Sequence, residues 1–148
     1  MKRIFILCIF LLAASMIAAC GSNSAAPAAS SDTTGVKVQT GGGSYTNVTP
    51  QELKTMLNAK DFVFVNTHIP YEGEIEPTDA FVPYNALDEN LGKLPADKNA
   101  KIVLYCRSDR MSTIAANELV KKGYTNLYNL VGGMVAWENA GYPLSVKK

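Results

Sequence analysis

Cys106 is the residue best placed to do chemistry. It follows the apolar run Ile102-Val103-Leu104-Tyr105 and precedes Arg107-Ser108-Asp109-Arg110-Met111-Ser112, where a long amphipathic stretch begins. In open α/β sheets, ligands bind beyond the carboxyl ends of the strands. A tight loop there aims successive backbone N–H groups inward, and the helix that follows adds the positive end of its dipole. Sulfur at the rim of such a cradle is held as thiolate. A persulfide, whose outer sulfur is also anionic, is stabilised by the same groups. A cysteine at a strand end is also compatible with an inert buried side chain, and at this level both readings stay open.

The composition narrows the chemistry. The chain has one histidine and three cysteines. That excludes a His-rich metal site and a disulfide scaffold. His68 with Glu72, Glu74 and Asp79 is a weak metal pattern, and no metal is expected. The formal net charge is +1 with no basic block, so a nucleic-acid partner has no electrostatic support. A length of 148 residues is one ordinary domain plus extras. With 47% hydrophobic and 18% charged residues, a wholly disordered chain is excluded.

The apolar excess sits at the N-terminus. Lys2 and Arg3 precede a run from Ile4 to Ala19 in which Ser15 is the only polar residue. As a helix at ~1.5 Å per residue it reaches about 24 Å, short of a ~30 Å hydrocarbon core. It reads as a secretory signal over residues 1–19. The run ends Ile17-Ala18-Ala19-Cys20-Gly21, which resembles the bacterial lipoprotein lipobox. That resemblance implies cleavage before Cys20 and acylation of Cys20 and its new amino group, with palmitate-type chains. The alternatives are an ordinary signal with a chance cysteine and an uncleaved anchor. Stable anchoring needs more than one acyl chain, and a multiply acylated Cys20 supplies that. The expected location is the cell envelope, on the extracytoplasmic side of a membrane, periplasmic or outer. Loss of Lys2 and Arg3 leaves 12 of the 14 basic residues against 13 acidic ones, a net charge of −1. Cys8 leaves with the signal and lipid occupies Cys20, so Cys106 remains as a lone thiol.

Residues 21–44 are rich in Ala, Ser, Gly and Thr, lack aromatics and close on Gly41-Gly42-Gly43. With lipidated Cys20 they read as a flexible tether that cannot bury enough apolar surface to order itself. The folded domain is expected over residues 45–146. Thr49-Pro50-Gln51-Glu52 opens a helix with a capping box. Phe62-Val63-Phe64-Val65 and residues 101–105 read as strands covered on both faces. Residues 68–80 form an irregular stretch. Phe81-Val82-Pro83-Tyr84 reads as an edge strand, and residues 86–93 as a short helix. The strongest helix runs over 111–122, with Met111, Ile114, Ala115, Leu119 and Val120 as its apolar side and Gly123 as its C-terminal cap. A strand over 126–130 and a short helix over 134–139, entered through Gly132-Gly133, complete the pattern. Strands alternating with helices predict an α/β fold, a parallel sheet with helices on both faces.

Residues 102–143 closely resemble the rhodanese-like (sulfurtransferase) domain. The matching residues are Val103-Leu104-Tyr105-Cys106-Arg107-Ser108, then Ser112 and Gly123-Tyr124. Asn129-Leu130-Val131-Gly132-Gly133-Met134, Trp137 and Gly141-Tyr142-Pro143 follow. Thr49-Pro50, Leu53 and the strand over 62–65 fit the family's amino-terminal part more loosely. The resemblance implies the rhodanese-like three-layer fold and an envelope-anchored sulfurtransferase. It implies that Cys106 would accept a sulfane sulfur from a small donor, rest as a persulfide and pass the sulfur to a thiol or cyanide-like acceptor. It implies that the amides of residues 107–112 (Arg107, Ser108, Asp109, Arg110, Met111 and Ser112) cradle that sulfur. It further implies that Arg107 and Arg110 would attract an anionic donor such as thiosulfate. No metal or organic cofactor is implied.

The departures from the family pattern matter. Many members carry glycine at the position of Asp109, and arginine or threonine at that of Met111. Asp tolerates a left-handed backbone at some cost, and its carboxylate is expected to place negative charge beside the donor site. The family's Asp-x-Arg is here Asn66-Thr67-His68, and its Gly-His-Ile is Gly73-Glu74-Ile75. His68 or Glu74 facing the site, and both as satisfied loop residues, are the two readings of that loop. A non-catalytic rhodanese-fold binding module is the alternative function. A cysteine phosphatase or arsenate reductase would need arginine at the sixth residue after the cysteine, where Ser112 stands without a guanidinium fork.

Overall fold

The computed structural model describes residues 35–146. The signal segment, Cys20 and the first part of the tether lie outside those residues. Among the described residues six strands form one sheet, in the order β1-β2-β6-β5-β3-β4. They are β1 (Val36–Thr40), β2 (Gly43–Val48), β3 (Val63–Asn66), β4 (Ala80–Phe81), β5 (Ile102–Tyr105) and β6 (Leu127–Leu130). Only β1 and β2 pair antiparallel; the other pairs are parallel. The helices are α1 (Pro50–Asn58), α2 (Leu87–Asn90, running into a 3-10 turn), α3 (Arg110–Lys121) and α4 (Gly133–Asn139).

Alternation along β5 shows why the sheet is covered twice. Ile102 and Leu104 point to one face, where they pack with Leu87, Ala115, Ala116 and Leu119 of α2 and α3. Val103 and Tyr105 point to the other, packing with Leu53, Met134 and Trp137 of α1 and α4. Both sets are fully buried, so a strand with two apolar faces needs helices on each side. This is the α/β architecture expected from the sequence. The α1 capping box is also present. Thr49 Oγ1 accepts from Glu52 N–H at 3.2 Å, and Glu52 Oε2 accepts from Thr49 N–H at 2.7 Å.

Two expectations are corrected. The tether read over residues 21–44 gives way to ordered structure from Gly35. Val36–Thr40 pairs with β2 through a hairpin that turns on Gly41 and Gly42, with Thr40 opposite Gly43. Its valines alternate with polar residues, a strand period that composition alone hides. Val38 packs against the α3 side of the core. The second correction concerns α3. Ile114 is exposed, and the buried stripe is Ser112, Ala115, Ala116, Leu119 and Val120. The spacing i, i+3, i+4, i+7 therefore starts at Ser112, and a polar side chain heads the buried face.

Candidate functional site

Parallel pairing brings the functional loops together. Asn66 lies opposite Tyr105 in the β3–β5 register, so the chain leaves both strands at the same, carboxyl, end of the sheet. Thr67 ties the two exits, donating from its N–H (2.8 Å) and its Oγ1 (2.9 Å) to the Tyr105 carbonyl. Tyr105 is itself pinned. Its phenol oxygen accepts from Ile75 N–H at 3.1 Å and lies 2.6 Å from Thr78 Oγ1. Burial pushes its phenol well above the ordinary tyrosine value. The residue before Cys106 is thus held as a neutral, fully packed anchor.

Cys106 follows directly and is 1% exposed. Its carbonyl accepts from Met134 N–H at 2.9 Å, and the Arg107 carbonyl accepts from Val135 N–H at 3.0 Å. The first turn of α4 thereby satisfies its own orphan donors. A trans peptide points its N–H opposite its carbonyl, so the N–H groups of Arg107 and Ser108 are directed away from α4. Among the described residues, none accepts a hydrogen bond from the N–H groups of residues 107–112. Ser112 Oγ lies 3.4 Å from Cys106 Sγ and 3.0 Å from the Asp109 carbonyl. Its single proton serves one acceptor at a time.

This geometry requires glycine at 133. Gly133 has φ +56°, and a Cβ there would lie 2.2 Å from the Cys106 carbonyl oxygen and 2.7 Å from that of Arg107. The close approach of α4 to the loop exists because no side chain intervenes.

The remaining residues singled out by sequence fall as follows. Ser108 and Arg110 are exposed and Met111 is half-buried. Asp109 does adopt a positive φ, +89°. Its carboxylate is held by side chains beyond the loop. Asp109 Oδ1 accepts from Asn129 Nδ2 at 2.7 Å, and the same amide donates to Asn47 Oδ1 at 3.0 Å. Asn129, fully buried in β6, is a supporting residue that sequence reasoning missed.

Asp109 yields a stability test. Asp109→Ala keeps the left-handed strain of ~1–2 kcal/mol that a Cβ imposes and loses a bond of about 1 kcal/mol. Asp109→Gly loses the bond but relieves the strain. In urea unfolding the alanine variant is expected to lose about 1–2 kcal/mol more than the glycine variant. Equal losses would show that the backbone conformation is not what limits this position.

The loop after β3 contributes a residue that sequence reasoning treated only as part of a weak metal pattern. Glu72 pairs with Arg107 across the cradle. His68, 5% exposed, places Nε2 at 3.4 Å from the same Glu72 oxygen, and neither ring nitrogen makes a hydrogen bond of good geometry. The Arg107 hydrogen bond above all, helped by the charges of Arg107 and His68, holds the Glu72 carboxyl below its ordinary range. Protonation is therefore postponed to acid. The pair stands at neutral pH and is lost as pH falls through that depressed value. Glu74 lies elsewhere. It lines a cavity of about 310 Å³ with Tyr71, Thr78 and Phe81, and its backbone pairs with Ser145. Asp79 accepts from Phe64 N–H at 2.7 Å and pairs with Lys60 at 2.5 Å, so it belongs to the sheet edge. The signal that would have found Glu72 is topological: loops after adjacent parallel strands converge.

The rhodanese-like domain family profile matches residues 49–140, more than half of the chain. The chain belongs to the rhodanese-like family. A sulfurtransferase of Allochromatium vinosum is 30% identical over 92 residues, which cover 60% of this chain and 83% of that protein. A probable adenylyltransferase/sulfurtransferase, MoeZ of Mycobacterium tuberculosis, is 32% identical over 101 residues, covering 65% of this chain. The chain spans only 25% of that longer relative. Among solved structures, a rhodanese-related protein from Thermoplasma volcanium superposes with a TM-score of 0.59 at 22% identity. The match covers 70% of this chain and all of that one. This rhodanese-like chain therefore carries its Cys106 loop on the family's fold.

Proposed function

We propose that this chain is a sulfurtransferase that carries sulfane sulfur on Cys106. The observation that carries the reading is the Cys106 loop. Its sulfur sits beside Ser112 Oγ at 3.4 Å, ahead of a helix N-terminus whose N–H groups find no acceptor among the described residues. Negative charge on either sulfur of a persulfide is favoured by those dipoles. The relatives named as sulfurtransferases support the same class. The Cys106 thiolate attacks the outer sulfur of the donor. A new S–S bond forms, the donor's S–S bond breaks, and its remaining half leaves with the electron pair. A thiol or cyanide then takes the outer sulfur and returns the Cys106 thiolate, with no net redox change and no cofactor. The chain acts from the extracytoplasmic face of a membrane, anchored through lipid on Cys20.

The near-complete burial of Cys106 favours the other reading, a non-catalytic rhodanese-fold binding module. One experiment separates them. Full-length protein in detergent is incubated with thiosulfate or with cysteine persulfide, and its intact mass is read. A gain of one sulfur atom is expected, removable by cyanide. No gain from either donor would overturn the sulfurtransferase and leave the binding module. Anchoring is tested separately. The chain expressed in a bacterium is expected to partition into detergent with diacylglyceryl on Cys20, and Cys20→Ala to release it to the aqueous phase. Aqueous partition of the unaltered chain would remove the anchor.

A further inference from the structure

Glu72 meets the Cys106 loop at Arg107 and neutralises the arginine that directly follows the cysteine in sequence. Arg107 is the first residue of the cradle, and its guanidinium is engaged by Glu72. The Asp109 carboxylate, in contrast, is turned to Asn129. Beside the pair lies a cleft of about 340 Å³. Glu72 and Arg107 form one wall, Met134, Val135 and Leu144 line it, and Glu138 adds a second carboxylate. Val135 is 40% exposed there. A dianion approaching this rim meets an arginine already paired and two carboxylates. A donor with an organic body and a single negative charge finds apolar wall and less repulsion.

We infer that Glu72 is a specificity-determining residue that turns the site from thiosulfate toward organic persulfides, with the adjoining cleft seating the donor's organic body. The inference rests on the sulfurtransferase reading above. In the favoured reaction the Cys106 thiolate attacks the terminal sulfur of R–S–SH. The Cys106 S–S bond forms as the R–S bond to that sulfur breaks, the persulfide proton stays on the transferred sulfur, and R–S⁻ leaves. With thiosulfate the same attack expels sulfite as a dianion. That product and its parent both carry the charge that Glu72 opposes.

The test compares kcat/KM for thiosulfate and for cysteine persulfide, with cyanide as common acceptor, near neutral pH and low salt. The unaltered protein is expected to favour cysteine persulfide. Glu72→Gln is expected to shift the ratio of the two values about tenfold toward thiosulfate, from removal of one unit charge near a dianion. Glu72→Lys shifts it further in the same direction. Both shifts shrink in high salt, where exposed charges are screened. A purely structural role would not yield this graded, salt-sensitive series. Glu72 is exposed, and matched thermal melts check that each variant is folded. A ratio that stays within about twofold in both variants, or a wild-type preference for thiosulfate, overturns the inference while leaving the sulfurtransferase standing. Absence of sulfur transfer from both donors overturns both.

Discussion

Cys106→Ala is expected to abolish the sulfur gain and to lower cyanide turnover by about a thousandfold or more, the scale on which removing a nucleophile acts. The loss is chemical rather than structural. Cys106 contributes one buried sulfur atom to a site whose backbone is held by other groups. Its carbonyl still accepts from Met134 N–H, and Thr67 still ties the neighbouring Tyr105 carbonyl. Ser112 Oγ keeps the Asp109 carbonyl as acceptor, so no donor is orphaned. Deleting one buried heavy atom costs on the order of 1 kcal/mol. The expected result is a folded, cooperatively melting protein with no sulfur on it. Cys106→Ser tests the same point with a side chain of similar size and far weaker nucleophilicity. Turnover surviving in both variants would assign the chemistry to another group.

The second large effect is expected at Gly133, which has no side chain to take part in chemistry. Gly133→Ala would push a methyl group to 2.2 Å from the Cys106 carbonyl oxygen, at a φ of +56°. Neither side can yield cheaply. The obstructing atoms are the backbone of Cys106 and Arg107. The left-handed conformation alone costs ~1–2 kcal/mol. Relieving the overlap means withdrawing α4 from the loop, which breaks the bonds from Met134 and Val135 to the Cys106 and Arg107 carbonyls. A destabilisation of about 3 kcal/mol or more is expected, together with loss of sulfur transfer in whatever remains folded. Gly123→Ala is the control. Gly123 has a similar backbone, φ +86°, but nothing within 4 Å of the added carbon, so it bears the conformational cost alone. The difference between the two variants in urea or thermal unfolding isolates the contact. Equal melting of the two would show that the α4–loop contact is not what holds the cradle.

Much of this architecture was legible in the chain. The apolar runs of β3 and β5 specify strands covered on both faces, because alternate side chains need opposite partners. Thr49 and Glu52 specify a helix start, because both capping groups lie within one turn. Cys106 at a strand exit, with Ser112 six residues on, specifies a loop able to hold an anion. Asp109 was legible as a left-handed residue. Each of these depends on groups a few residues apart, whose geometry local backbone preferences decide.

What the tertiary structure alone decided depends on distant pairs. The strand Val36–Thr40 is ordered because β2 offers it an edge and the α3 side of the core accepts Val38. Its own composition points the other way. The Asp109 carboxylate is held by Asn129, twenty residues on, whose amide donates to it at 2.7 Å. Glu72 reaches Arg107 across 35 residues of sequence. That meeting requires β3 and β5 to pair in one register and their loops to leave from one end of the sheet. A shift of that register would move the carboxylate off the rim. The sequence by itself determined where Cys106 stands and the scaffold beneath it, a strand exit ahead of a helix, since both are set by local pattern. The charge on the rim of the Cys106 loop is decided by side chains brought together only when the sheet is assembled.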